Sequence, residues 1–224
     1  MKHLRKYSIK QYLRAGFSFL KKIGAQCIGY IFYDHQYLKG KEFSSYKYTN
    51  GWRWVMENFF IQKIIGYQRH IPFPVSFRSQ FMNWENFIFD IDDLENFQKG
   101  GCYFQAASDA YIRIGKGTFI AANVGIITAN HDVQDLKKHM PGKDVNIGQN
   151  CWIGMNSTIL PGVTLGDGTV VGAGSVVTKS FPNGHCVVAG NPDVYKRQEI
   201  YDTKNYSLLL VWTWSEARAR TKMH

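Results

Sequence analysis

The residue best placed to do chemistry in this chain is His131, in the run Thr128, Ala129, Asn130, His131, Asp132. An imidazole titrates near neutrality, so it can take the proton of a hydroxyl as that oxygen attacks a carbonyl carbon. Such a base works in one tautomer, which an acceptor on its second ring nitrogen must hold. Asp132 and Asp144 are the nearby carboxylates, and a backbone carbonyl would serve equally well; the sequence leaves all three open. His139 reads as an exposed loop histidine.

Other chemistries lack their residues. A zinc site of the carbonic-anhydrase kind needs three histidines on one ion, and residues 100–192 offer only His131, His139 and His185. No metal is expected. No phosphate-cradling P-loop and no dinucleotide glycine fingerprint is present, which removes support for nucleotide hydrolysis and hydride transfer. Cys27, Cys102, Cys151 and Cys186 show no C-x-x-C spacing, so neither a zinc knuckle nor a disulfide framework is read, and a reduced, cytoplasmic setting is expected.

The frame that must position His131 is written in a period of six. Ile114, Ile120, Ile126, Ile147, Ile153, Ile159, Leu165, Val171 and Val177 recur in that register, many of them followed by Gly or Ala. A helix would scatter such side chains around its circumference and a strand repeats every two, so six implies a short flat wall plus a corner, repeated. The fifth positions are Thr118, Val124, Cys151, Ser157, Val163, Thr169 and Ser175, again small or branched. The expected structure is a parallel β-helix, stable only as a stack of turns. The register stops after Ile126 and resumes at Ile147. An excursion of that length from a regular coil is usually functional, and His131 lies inside it.

The stretches YIRIGKGTFIAANVGIITANHD and PGKDVNIGQNCWIGMNSTILPGVTLGDGTVVGAGSVVTKSFPNG, with Asn191-Pro192, resemble the hexapeptide-repeat acyltransferases, in their sugar and xenobiotic O-acetyltransferase branch. The resemblance covers about residues 100–192. It implies a left-handed coil, a homotrimer with sites between neighbouring prisms, and acetyl-CoA as donor to a sugar or saccharide hydroxyl. It also implies roles: Asn130-His131 as the base motif, the Met155 amide as oxyanion donor, and Trp152 as a pocket wall. Gln105 falls where the family commonly has asparagine for the acceptor, with Tyr103 beside it. Ala173 and Gly174 match backbone contacts to coenzyme A, and Thr178 and Lys179 match positions near its nucleotide end. The family's basic residue after Gly-Asn-Pro is missing here, where Asp193, Val194 and Tyr195 follow; Lys196 and Arg197 are its substitutes. Alternative readings on the same coil are a serine or antibiotic O-acetyltransferase, a non-catalytic membrane-associated scaffold, and the metal enzyme considered above.

Three regions are expected: a helical and aromatic cap over 1–99, the coil over 100–192 with its loop at 128–146, and an atypical tail over 193–224. The tail has no hexad, and an assembly or frameshift join near Pro192 is the expectation, which resequencing the gene tests. The net charge of +10 is concentrated at one end, with seven basic residues in the first 22 and no acid before Asp34. Ile9, Tyr12, Leu13, Phe17, Leu20 and Ile23 recur at three and four, so residues 8–32 read as a basic amphipathic helix that packs on the body or lies on an anionic membrane, through residues 1–33. No base-recognition motif accompanies the charge, and no nucleic-acid partner is expected. Between 51 and 66 a short helix is expected, with an extended piece at 71–75, where two prolines block a helix.

Overall fold

A computed structural model describes residues 9–44, 50–191 and 194–196. The chain is mainly β, a left-handed parallel β-helix beneath an N-terminal helical and aromatic cap. Its first wall carries β1 (Gln80–Met82), β3 (Tyr103–Gln105), β6 (Gly125–Ile127), β9 (Thr158–Ile159) and β12 (Val176–Val177). The second carries β2 (Phe87–Ile88), β4 (Ile112–Ile114), β7 (Val145–Ile147) and β10 (Thr164–Leu165). The third carries β5 (Phe119–Ile120), β8 (Trp152–Ile153), β11 (Val170–Val171), β13 (Val187–Ala189) and β14 (Val194–Lys196). Every pairing is parallel except β13 with β14.

The hexad explains these short strands. Each aliphatic position points inward and is buried, and so is each fifth-position residue. Burying such a column is worth roughly 0.8 kcal/mol per methylene. The small residue that follows lets turns stack closely: a Cβ on Gly154 would stand 2.6 Å from the Ala173 nitrogen and the Val171 oxygen. Asn123 and Asn156 take φ of 60° and 59° at one corner, where a short polar side chain tolerates the left-handed region.

The coil begins earlier than residue 100. β1 and β2 already form part of a turn, so the expected boundary between cap and coil falls inside the stack. Phe81 and Phe87 are six apart and both buried, and the Phe81 ring stacks on Phe104 at 5.0 Å and 22°. Phe81 stands in the column of Phe104 and Ile126, and Phe87 in that of Ile112 and Val145, so the stack continues under the cap with aromatic in place of aliphatic residues.

The cap consists of α1 (Ile9–Phe32), α2 (Lys41–Ser44), α3 (Asn50–Phe59) and a π-helical turn, Phe60–Ile65, that Gly66 ends at φ 97°. The helix expected at 51–66 is thus present in two pieces. α1 packs on α3 along the side of the buried Ala25 and Gly29; a Cβ on Gly29 would lie 2.9 Å from the Trp52 ring. The 71–75 stretch is buried and receives the Gln62 amide, which donates to the Ile71 and Phe73 carbonyls.

Two side-chain amides close the open edge of the coil, where β1 and β5 would otherwise expose unpaired backbone. Gln68 donates to the Ser79 carbonyl at 2.8 Å and accepts from the Phe81 amide at 3.1 Å. Asn96 donates to the Thr118 carbonyl at 2.7 Å and accepts from the Ile120 amide at 2.8 Å. Each stands in for a neighbouring strand. Among the described residues no helix is long and apolar enough to cross a membrane. Arg197, Pro192 and the tail from 197 lie outside the described residues, and Lys196 ends β14.

Candidate active site

His131 leaves the first wall just after β6, on the excursion that separates β6 from β7. The excursion is anchored where it starts. The Thr128 amide donates to the Gln105 carbonyl at 3.0 Å, and the Thr128 hydroxyl accepts from the Ala107 amide at 2.6 Å. Beyond that anchor the chain folds back on itself: Met140 donates to the Asn130 carbonyl, Asp132 to that of Lys138, and His131 bridges His139. The imidazole Nδ1 lies 2.8 Å from the Leu136 carbonyl oxygen. A proton on Nδ1 donates to that carbonyl, which leaves Nε2 with its lone pair on an exposed ring.

Neither weighed carboxylate holds His131. Asp132 accepts from the Gln134 amide at 2.8 Å within its own turn. Asp144 pairs with the Arg113 guanidinium and accepts from the Tyr111 amide at 2.8 Å. That guanidinium, with the amide second, holds the Asp144 carboxyl below the usual carboxylate range. Of the three alternatives open in sequence, the backbone carbonyl is the one at the ring. Leu136 has no sequence signal for this role, since any residue supplies a carbonyl.

His139 is a neighbour of His131, the two ring centroids lying 4.2 Å apart. His185 lies on another corner, against Gly168. Among the described residues no group of three or more His, Cys, Asp or Glu side chains is placed to hold a metal ion. Burial pushes the Cys102 and Cys151 thiols up, away from the thiolate that a nucleophilic cysteine requires.

Parallel strands sort the remaining residues. Gln105 ends β3, in register with Ile127 of β6, so it stands at the same edge of the first wall as His131. Its Oε1 is buried with no hydrogen-bond partner among the described residues. Tyr103, two residues earlier, is partly exposed, and its hydroxyl donates to the Met82 sulfur at 3.2 Å. Met155, Ala173 and Gly174 occupy the opposite edge, at the corner before β9 and β12, where the Gly174 amide donates to the Met155 carbonyl at 2.8 Å. Ala173 and Gly174 are exposed, and Gly174, at φ 70°, has open space where a Cβ would be. Thr178 and Lys179 follow β12 and are exposed.

Trp152 is on the third wall, in register with Phe119; both rings are 56% exposed, side by side. They line a cleft of about 450 Å³ with Lys99, Ile120, Ala121 and Ala122. Within this chain His131 is therefore separated from Met155 and Trp152. Val133, Leu136 and Met140 leave an apolar face on the His131 loop, with Val133 91% exposed.

Residues 144–179 match the family described as bacterial transferase hexapeptide (six repeats). Over 98 residues the chain is 46% identical to Protein CapG of Staphylococcus aureus, which covers 42% of this chain and 56% of that protein. Over 108 residues it is 39% identical to the galactoside O-acetyltransferase of Escherichia coli (strain K12), covering 45% of this chain and 53% of that enzyme. Among solved structures, a maltose O-acetyltransferase from Clostridium difficile 630 is 39% identical, covers 50% of this chain and 56% of its own, and superposes with a TM-score of 0.39. The chain spans about half the length of the curated relatives it matches. With nine register positions buried, walls of parallel strands and a family match over residues 144–179, the coil of this chain carries hexapeptide repeats and is similar to O-acetyltransferases that carry them.

Proposed function

We propose that the chain transfers an acetyl, or another short acyl, group from coenzyme A to a hydroxyl of a sugar or saccharide, with His131 as general base. The observation that carries this reading is the imidazole itself: Nδ1 is held by the Leu136 carbonyl and the ring is exposed on the excursion that interrupts the coil. Nε2 takes the hydroxyl proton as the acceptor oxygen bonds to the thioester carbon. The carbon–sulfur bond then breaks, and the imidazolium returns its proton to the departing thiolate, so coenzyme A leaves as the thiol. Asn130 flanks the base as in the family motif, and neither Asp132 nor Asp144 is needed to hold it.

The oxyanion of the tetrahedral intermediate requires a fixed donor. The Met155 amide is our candidate, contributed by a neighbouring protomer, because it and His131 occupy opposite edges of the first wall in one chain. The exposed Val133, Leu136 and Met140 support burial of the loop against that neighbour, and we propose a homotrimer. Trp152 then forms a wall of the shared crevice. The open backbone at Ala173 and Gly174 admits the pantetheine arm, and Thr178 with the basic Lys179 suits the nucleotide end; Lys196 and Arg197 are further candidates there. Gln105, at the end of β3 on the His131 edge, is our candidate for the acceptor, with Tyr103 on the same strand.

α1 supports a peripheral contact with an anionic membrane surface, on the cytoplasmic side. Phe19, Leu20, Ile23 and Ile31 are exposed on the side opposite Ala25, Gly29 and Tyr33, and the helix contains no acidic residue. Loss of binding to phosphatidylglycerol vesicles in Leu20→Ser and Ile23→Ser variants would support that contact; pelleting unchanged by these substitutions would reject it.

The deciding experiment for the transfer is thiol release from acetyl-CoA against nucleotide sugars, simple glycosides and serine, using the wild type and His131→Ala. Turnover that survives the substitution rejects the base assignment, and turnover on serine alone rejects the saccharide class.

A further inference from the structure

The cap contains a second cavity that the proposed transfer does not use. It has a volume of about 600 Å³, within the range of small-ligand sites, and its walls include Arg53, Asn58, Ser76, Arg78, Gln98 and Lys99. None of these residues belongs to the regular hexads. Lys99 also lines the Trp152 and Phe119 cleft, so the two spaces meet along one side chain.

The charges in this cavity do not cancel. Arg53 pairs with Glu57 at 3.4 Å and Lys99 with Glu95 at 2.7 Å. Arg78 has no carboxylate partner among the described residues, so the lining carries one surplus cation. Its backbone is fixed: the Arg78 amide donates to the Ser76 hydroxyl, and its carbonyl accepts from the Gly101 amide. Its side chain runs beside Gly100, where an added Cβ would meet Cζ at 3.3 Å. The Arg78 side chain is exposed, and its guanidinium offers a planar fork suited to a carboxylate or phosphate. At the other end of the path, Phe119 and Trp152 present flat apolar faces of the kind on which a sugar ring can lie.

We propose that the cap cavity binds an anionic unit of an extended saccharide acceptor, which runs from the Trp152 and Phe119 cleft past Lys99 to Arg78. This rests on the transferase reading and deepens it: the coil supplies the transfer and the cap selects an acidic acceptor. A uronic-type carboxylate and a sugar diphosphate share the required chemistry, and the probes below distinguish them.

The test is calorimetric binding to the full chain of three probes: a galacturonate trimer, UDP-N-acetylglucosamine and maltotriose. The wild type is expected to bind one of the two anionic probes at least about tenfold tighter than maltotriose. Arg78→Gln should abolish that preference while leaving acetyl-CoA affinity unchanged. Arg78→Lys should retain part of it, by charge without the fork. If Arg78→Gln does not fold, the wild type alone decides: raising sodium chloride should weaken the anionic probe and spare maltotriose. Absence of binding by both anionic probes, or a preference that survives both Arg78→Gln and salt, overturns the proposal. Thiol release separates the two claims. Release without any charge preference removes the subsite only, whereas Arg78-dependent binding without release on any acceptor removes the transferase reading.

Discussion

The rings of His131 and His139 face each other at 4.2 Å between centroids, tilted by 36°, across the bridge that closes the excursion. The Leu136 carbonyl holds only the first of them, so the two histidines are not equivalent. His131→Ala should lower turnover by about 100- to 10,000-fold, the usual contribution of a positioned general base. His139→Ala removes a ring contact worth roughly 1 kcal/mol and should cost about tenfold or less. Thiol release at saturating acetyl-CoA measures both, and equal losses would show that the pair acts as one unit.

Asn96 completes the edge of β5 with a single amide, buried and bonded at both ends. Asn96→Ala would leave the Thr118 carbonyl and the Ile120 amide without partners. Each such group costs about 1–3 kcal/mol when buried, so the variant should lose about 2–6 kcal/mol in urea unfolding. Asn96→Asp, whose carboxylate accepts but cannot donate to the Thr118 carbonyl, should not restore it.

Gly154 lies where two turns touch backbone to backbone, 2.6 Å from Ala173 and Val171 for any added Cβ. Gly154→Ala must push the turns apart. Overpacking of this kind costs about 1–3 kcal/mol, so the melting temperature should fall. Because Gly154 precedes Met155 and packs under Ala173, acetyl-CoA affinity should fall with it, and titration calorimetry checks this.

Asp144 is held by Arg113 and the Tyr111 amide, and its carboxyl is correspondingly depressed. A carboxylate that ionises more readily in the folded chain stabilises it above its unfolded pKa of about 3.9, and that contribution is lost as pH falls through the lower folded value. The melting-temperature difference between wild type and Asp144→Asn should therefore be constant at neutral pH and close as pH drops below about 4. The pair is partly exposed, so the difference should also shrink in high salt.

The nine aliphatic positions and their small neighbours were legible because a coil with three short walls imposes one burial pattern on every turn, and a repeated pattern stands out in one dimension. The first turn was not read, because its buried Phe81 and Phe87 are aromatic rather than aliphatic and lack the following glycines. The excursion was legible as a gap in the register. Its internal geometry was not, because the acceptor behind His131 is a main-chain oxygen, and main-chain atoms are the same at every residue.

From residue types and spacing alone followed the coil, the interruption at 128–146, the imidazole within it and the helix at the amino end. These are local or periodic properties, set by which side chains avoid water and how often they recur. Tertiary structure alone decided that Asp144 serves Arg113, that Gln105 shares an edge with His131 while Met155 does not, and that Arg78 lines the cap cavity with no carboxylate partner among the described residues. Such relationships depend on which turn lies above which, and residues 20 to 40 apart in the chain meet only once the coil has closed.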